Sequence, residues 1–388
     1  MERGWWRTAM NWLAVLIMIG LMLTCWINKK VQDVFLWYAN LIFFFSLSAL
    51  FFSQIDWVRR LKERDKELYL LVGGCLLAVV NLFLAHSNVG AIFTIVDFLL
   101  MLYLADKVSL SRKMIESIVI VCIAVTLYWL FYKRAAYRMV DFNSNGASRI
   151  VYTAMAFGLY GCRWLSVNGI ENRKRVWDVA FFVVQAVILC QAFRLDARGT
   201  ILGVIAALAV YYILPKRKWS VYVVLACTLL FPLGYLIIWK MGTLDGVMLA
   251  GKRVMSGRDT IWSAFGVLYM EHPIIGIGSD FERLVPQLYY KEVHHALLDL
   301  LFVHGGSVFL FVLYFLAKRF KELFGVSGKI ECSSRAAMAL SILYGMIVIG
   351  TFENYYIVAP CSTVFFLILV LEHQKQERNG ELVEQEGK

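Results

Sequence analysis

The sequence predicts an all-α membrane protein with about twelve transmembrane helices and one large external loop. Hydrophobic residues make up 60% of the 388 residues and charged residues only 17%, whereas soluble domains are about half apolar and a quarter charged. The apolar residues form continuous blocks of 16 to 22, separated by short charged segments. A helix needs about 20 such residues to cross a bilayer. Continuous rather than alternating blocks favour helices over barrel strands.

The apolar blocks place the predicted spans in order along the chain. They lie at residues 9–27, 34–55, 68–85, 89–104, 114–132, 149–166, 178–193, 199–214, 220–239, 296–317, 336–352 and 355–371. We therefore assign residues 1–372 to a transmembrane domain and residues 373–388 to a polar tail.

The distribution of Lys and Arg predicts the orientation of these spans, because cytoplasmic loops carry an excess of both. With the N-terminus in the cytoplasm, the cytoplasmic segments hold 24 Lys and Arg and the external segments hold 13. We therefore expect a multi-pass protein with both termini in the cytoplasm. The net charge of +11 follows from this topology and does not indicate a nucleic-acid partner.

The connection between the ninth and tenth spans is the large external loop, residues 240–295. Connections of this length usually have a function of their own. Trp262, Phe265 and Tyr269 recur at helical spacing, which predicts a surface helix over 260–271. We expect Asp259 to cap this helix.

Several familiar catalytic motifs are missing. The sequence has no Gly-rich phosphate loop, no paired aspartates for a nucleotide sugar, no His-Glu-x-x-His and no Gly-x-Ser-x-Gly. Nucleotide hydrolysis and transfer from a nucleotide-linked sugar are therefore not expected. The eight cysteines lack metal-site spacing, and we predict neither a metal nor a cofactor.

Arginines on the external face are candidates for binding an anion. Arg194 and Arg198 lie in one short external turn, against the usual distribution of charge. They either form an anion site, or one of them pairs with Asp196 or reaches lipid headgroups. Arg258 in the large loop is either a phosphate ligand, for which its planar guanidinium is suited, or a solvated residue near a helix start. Arg149 borders another external turn and either contacts an anionic lipid or only flanks the membrane.

Two adjacent histidines end the large loop. His294 and His295 precede the tenth span, and Asp299 follows one helical turn later within an apolar block. A carboxylate at that spacing is expected to hydrogen-bond the ring of His295 and orient it, and carboxylates inside membrane spans are functional candidates. The alternative is a polar cluster that satisfies itself at a helix end.

The order of short motifs across the large loop resembles the bacterial O-antigen ligase and polymerase family. A Gly-Arg-x-x-x-Trp element begins at Gly257, a Pro-x-x-Gly-x-Gly element begins at Pro273, and His295 and Gly305-Gly306 follow. The Arg-Gly pair at Arg198 resembles the family's Ser-Arg-Gly segment. The family commonly has His-Asn where this chain has His295-Ala, so either His294 or His295 takes the catalytic position.

The resemblance implies a fold and an activity. Members of this family are lipid-dependent glycosyltransferases, helical and metal-independent, on the external face of the bacterial inner membrane. They transfer a glycan from undecaprenyl diphosphate to a hydroxyl of a glycan, lipid or protein acceptor. Carried over to this chain, Arg198, Arg258 and Arg194 bind the diphosphate, and His295 or His294 activates the acceptor with Asp299 orienting the ring.

Other functional classes fit less well. The motifs do not separate a polymerase, which extends a lipid-linked glycan, from a ligase, which uses another acceptor. A lipid-glycan flippase or transporter is the alternative, but the two halves of the sequence do not match as transporter repeats often do. A structural or sensing protein would not need arginines placed against the charge distribution beside a histidine.

Overall fold

A computed structural model describes residues 2–27, 29–85, 87–131, 144–168, 174–194, 197–240, 248–249, 252–253, 257–280, 292–324, 328–330 and 334–386. The helices are α1 Glu2–Ile27, α2 Lys29–Gln54, α3 Trp57–Lys62, α4 Lys66–Leu84, α5 Val89–Leu104, α6 Arg112–Phe131, α7 Ser144–Asn168, α8 Lys174–Arg194, α9 Arg198–Tyr212, α10 Lys218–Lys240, α11 Arg258–Glu271, α12 Ala296–Glu322, α13 Arg335–Gly350 and α14 Ala359–Glu386. Two short strands, β1 Met248–Leu249 and β2 Lys252–Arg253, pair antiparallel between α10 and α11.

Each predicted span coincides with one helix of the structure, so the helical membrane fold is confirmed at that level. In the described part of the chain, four helices are long and apolar enough to cross a membrane, and five shorter apolar helices accompany them. The four are Trp5–Leu23, Lys66–Leu84, Trp219–Ile238 and Ala296–Glu322. That all twelve helices cross the membrane stays a prediction.

The buried centre of the bundle is formed by α12, α13 and the first half of α14. The helix α13 is apolar on every side, as expected for a helix surrounded by protein, and packs closely on α9. Gly203 of α9 makes this close approach possible, because an added Cβ there would lie 2.9 Å from the carbonyl oxygen of Gly345. The start of α9 is thereby held beside the end of α13.

The helix α12 is broken at Gly305, which has φ 81° and ψ 162°. The segment after α11 fills the break: Ile277 N–H donates to the carbonyl of Phe302 (2.8 Å), and Gly306 N–H donates to the carbonyl of Pro273 (2.8 Å). Backbone groups freed by a break inside a membrane need such partners. The Pro-x-x-Gly-x-Gly and Gly-Gly elements therefore have a structural role, as the two sides of one backbone contact.

The surface helix was predicted with the correct C-terminal end but the wrong cap. The helix α11 begins at Arg258, and its N-cap is Gly257 with φ 88°. Asp259 therefore lies in the first turn rather than at the cap. Ile261, Trp262 and Phe265 form the buried face. At the other end of the chain, α14 continues through most of the predicted polar tail to Glu386.

Candidate functional site

Three segments meet at one end of the bundle, and each contributes one ionisable side chain to a common group. Arg258 begins α11, His294 lies just before α12, and Glu353 lies in the turn between α13 and α14. We call this group the Glu353 site. It lies at the end of the bundle that the charge distribution predicts to be external.

Arg258 binds the α13–α14 turn through two groups. Its Nη2 lies 2.8 Å from Glu353 Oε1, and its Nε donates to the carbonyl of Phe352 at 2.9 Å. Both side chains of the ion pair are largely buried, at 13% and 9% exposed. Burial lowers the pKa of Arg258, and the charge of Glu353 opposes that effect. The guanidinium is therefore fixed in position at the edge of the site.

His294 contacts the other oxygen of the same carboxylate. Its Nδ1 lies 3.3 Å from Glu353 Oε2, and the side chain is 33% exposed. Glu292, which is largely exposed, lies farther from this nitrogen at 3.8 Å. With Nδ1 donating to Glu353, the lone pair of the ring is on Nε2. The backbone of His294 has φ 52°, a left-handed conformation that is uncommon outside glycine and is often found at functional sites.

Glu353 is the centre of the charge distribution at this site. Burial alone would raise the pKa of Glu353, but the hydrogen bond from His294 and the charges of Arg149 and Arg258 bring it below its ordinary value of 4.5. The carboxylate is therefore ionised near neutral pH. A buried carboxylate is stable only when cations or donors surround it, and here it has both.

Arg198 joins the site and Arg194 is only partly placed. Arg198 is the first residue of α9, and its charge acts on Arg258. An added Cβ on the neighbouring Gly199 would lie 3.3 Å from the Cβ of Phe352, so α9 begins against the turn that holds Glu353. Arg194 is the last residue of α8; its side chain and Asp196 lie outside the described residues.

His295 has a structural role, which agrees with the alternative interpretation of a polar group that is satisfied at a helix end. The residue is fully buried, its Nδ1 accepts from Leu298 N–H at 3.1 Å and caps α12, and its Nε2 donates to the carbonyl of Thr228 at 3.1 Å. Burial lowers the pKa of His295 to about 4. Both ring nitrogens are used within the fold, so the candidate base is His294 rather than His295.

Asp299 does not orient either histidine ring, and that prediction is wrong. Its Oδ1 accepts from Asn354 Nδ2 at 3.1 Å, and Asn354 Oδ1 accepts from the backbone N–H of His295 at 3.1 Å. The spacing of one helical turn between His295 and Asp299 predicts a side-chain contact, but the ring of His295 turns back to cap α12. Through Asn354, Asp299 instead holds the α13–α14 turn, which also carries Glu353, against the start of α12.

Trp262 positions the segment that carries the histidines. Its Nε1 donates to the carbonyl of Val293 at 3.0 Å, and its ring packs edge-on against His295 with centroids 5.9 Å apart. Because Trp262 follows Arg258 by four residues, both side chains lie on one face of α11. The Gly-Arg-x-x-x-Trp element thus links the arginine of the site to its histidine.

Glu353 is the residue that sequence reasoning missed. Its signal was a single carboxylate between two apolar spans, where a charge needs a reason. Arg149, which was predicted either to contact an anionic lipid or to flank the membrane, acts through its charge on Glu353. Within the described part of the chain, no group of three or more His, Cys, Asp or Glu side chains is arranged to hold a metal ion.

The Glu353 site combines a candidate base with neighbouring cations. A carboxylate that holds one ring nitrogen of a histidine fixes the ring and stabilises its protonated form, as in hydrolase triads. Neighbouring arginines can accept an anion. Comparison with known proteins adds no relative to this description: no protein-family model matches the chain, and no curated protein sequence is significantly similar to it.

Proposed function

We propose that this protein is a glycosyltransferase that moves a glycan from undecaprenyl diphosphate to an acceptor hydroxyl. The observation that carries the proposal is the pair His294–Glu353 beside Arg258, at the end of a bundle of apolar helices. The resemblance of the surrounding motifs to O-antigen ligases and polymerases supports the same reaction. The site is suited to a substrate whose anionic group lies at the membrane surface.

His294 acts on the acceptor. Its Nε2 takes the proton of the acceptor hydroxyl as the oxygen attacks the anomeric carbon, and Glu353 stabilises the imidazolium that results. The new carbon–oxygen bond forms on the side opposite to the leaving group, so the anomeric configuration inverts. The 33% exposure of the His294 side chain allows an acceptor to reach it.

The arginines act on the donor. As the bond between the anomeric carbon and the diphosphate oxygen breaks, its electron pair goes to the diphosphate, whose negative charge grows. Arg258 and Arg198 stabilise that charge, and fixed cations do so without reorganising. Arg258 is held from behind by the carbonyl of Phe352, which keeps its position constant during the reaction.

The acceptor and the location complete the proposal. The acceptor is the hydroxyl of a glycan, a lipid or a protein, and we favour a second lipid-linked glycan, which makes the protein a polymerase of surface polysaccharide. The site operates on the external face of the bacterial inner membrane, and both termini lie in the cytoplasm.

Reconstitution with a lipid-linked donor tests this function. The purified protein is given undecaprenyl-diphosphate-linked oligosaccharide in EDTA, with and without a separate acceptor. Longer lipid-linked chains from the donor alone indicate a polymerase, and product only with added acceptor indicates a ligase. We expect His294→Asn and Arg258→Gln to reduce turnover by about 10²-fold or more.

The matched control is His272→Asn, which changes an exposed histidine at the end of α11. Asn tolerates the left-handed backbone of His294, so size-exclusion profiles should match for all variants. Full activity of His294→Asn would refute the assigned base. Absence of product with every donor and acceptor would refute the transferase.

A lipid-glycan flippase is the second candidate, and the break of α12 at Gly305 is the observation that favours it, because transporters often use discontinuous helices. In this chain the break is filled by backbone from the large loop rather than by an open site. Movement of labelled carrier across liposomes without any new glycosidic bond would favour this candidate.

A further inference from the structure

A long cleft lies between α10 and α12 at the end of the bundle opposite to the Glu353 site. It encloses ≈ 1010 Å³, and its walls are mainly apolar, with Leu225 and Leu229 on one side and Leu310 and Leu313 on the other. Leu310 is 67% exposed, so the cleft opens sideways to the surroundings of the bundle. An apolar cleft that faces a bilayer is filled by hydrocarbon chains.

The mouth of the cleft is cationic. Lys218, Lys318 and Lys321 line it, all at the end that the charge distribution predicts to be cytoplasmic. The Nζ of Lys321 lies 4.7 Å from the ring centroid of Tyr222, which holds the ammonium at the mouth. Lys218 N–H donates to the carbonyl of Gly328 at 3.2 Å, so the α12–α13 connection fixes the second lysine.

Among the described residues, no carboxylate neutralises two of these lysines. Lys318 pairs with Glu67 and with Glu322, and Glu322, which also lines the cleft, is held by Arg319 Nη1 at 2.7 Å. His373 Nε2 adds a contact to Glu322 at 2.9 Å. In the described part of the chain, Lys218 and Lys321 have no carboxylate within ion-pair distance. The mouth therefore carries a net positive charge.

The length of the cleft matches one leaflet of a membrane. Its lining on α10 runs from Lys218 to Leu229, which is roughly 17 Å at about 1.5 Å per residue. Half of a hydrocarbon core of about 30 Å is about 15 Å. Trp219 and Tyr222, each 52% exposed, lie at the lysine end, where aromatic side chains mark the headgroup level.

We propose that this cleft binds one phospholipid with an anionic headgroup from the leaflet opposite to the Glu353 site. Lys218 and Lys321 hold the phosphate, and an acyl chain fills the apolar walls. Basic pockets between helices on the cytoplasmic side are suited to such headgroups. The lipid-linked donor is a poor occupant, because its diphosphate belongs at the other end of the bundle.

Native mass spectrometry of the purified full-length protein tests the proposal. Phosphatidylglycerol and phosphatidylcholine with identical acyl chains are titrated separately. We expect phosphatidylglycerol to bind more tightly, and Lys218→Gln with Lys321→Gln to weaken its binding roughly thirtyfold and to remove most of its advantage over phosphatidylcholine. The matched control is Lys62→Gln with Lys113→Gln, which removes two exposed lysines from the same face.

A second pair of variants tests the apolar walls with every lysine in place. Ala226→Trp fills the cleft from an exposed position of α10, whereas Val223→Trp adds the same bulk on α10 away from the cleft lining. Only Ala226→Trp should abolish binding of phosphatidylglycerol. Equal binding of both lipids, equal loss in the Lys62/Lys113 control, or displacement of phosphatidylglycerol by equimolar undecaprenyl phosphate would each overturn the proposal.

Discussion

Two adjacent histidines at the end of the large loop have opposite roles because of one backbone angle. The left-handed conformation of His294 sends its ring to Glu353, while the ring of His295 turns into the protein and caps α12. From the sequence alone, either His294 or His295 is the histidine of the site. The choice depends on the φ of one residue, which neighbouring residue types do not determine.

The separation of roles predicts different losses for the two histidines. His294→Asn should remove transfer while leaving the free energy of unfolding almost unchanged. His295→Ala should lower that free energy by about 1–3 kcal/mol, because it removes a helix cap and leaves a buried carbonyl unpaired. Turnover and thermal unfolding in detergent measure the two effects. An unstable His294→Asn or a fully stable His295→Ala would contradict the assignment.

The ionised state of Glu353 predicts a pH dependence of stability. Its pKa is lower in the folded protein than the ordinary 4.5, so the folded state favours the carboxylate. The stabilisation is fully present above about pH 4.5 and is lost as the pH falls through the lower, folded-state value. We expect Glu353→Gln to reduce the fall of the melting temperature between pH 6 and pH 3. An identical fall in both proteins would argue against this ionised pair.

Hydrophobic patterning predicted the helices well, because each span is recognised from a local run of apolar residues. The surface helix α11 was also found, from the spacing of Trp262 and Phe265. The break in α12 was not predicted, since the pair Gly305-Gly306 looks like any small residues in a membrane helix. Only the segment around Gly276, which packs against Gly305, explains the break.

The contact at Gly305 predicts a strong effect of one methyl group. In Gly305→Ala the new Cβ would overlap the backbone of Ile274 and Ile275, and the positive φ would be strained as well. We expect a loss of about 1–3 kcal/mol in the free energy of unfolding, measured by thermal unfolding. The control is Gly266→Ala in α11, where no atom outside the chain neighbours and the backbone of the same helix lies within 4 Å of the added Cβ. Equal stability of the two variants would refute the contact.

At the scale of the whole molecule, the Glu353 site is formed by residues far apart in the chain. Arg258 and Glu353 are separated by 95 positions, and their meeting depends on how α11, α12 and α13 pack. The family resemblance implies roles for Arg198 and Arg258. It does not include Glu353, whose proximity to Arg258 is visible only once the helices are packed. The orientation, in contrast, is predicted from the distribution of Lys and Arg between segments, and it stays a prediction.

The orientation of the molecule is open to direct measurement. We expect His272→Cys to react with a membrane-impermeant maleimide in intact spheroplasts, because the charge distribution predicts that α11 ends on the external face. Lys62→Cys should react only after permeabilisation, since α3 belongs to a basic segment that is predicted to be cytoplasmic. Labelling of the protein without these substitutions shows how much its native cysteines react. Labelling in the reverse order would invert the topology and move the Glu353 site to the cytoplasm.

In the proposed reaction, the ion pair between Arg258 and Glu353 competes with the donor for the same guanidinium. An arriving diphosphate must displace a carboxylate that is already bound to the guanidinium. Once displaced from Arg258, Glu353 would keep its contact with His294, and the carboxylate charge that Arg258 no longer balances would make the ring a stronger proton acceptor. Donor entry and base activation are thus one exchange of partners. Removing the charge of Glu353 should separate them, giving an enzyme that holds its donor more tightly and uses it more slowly.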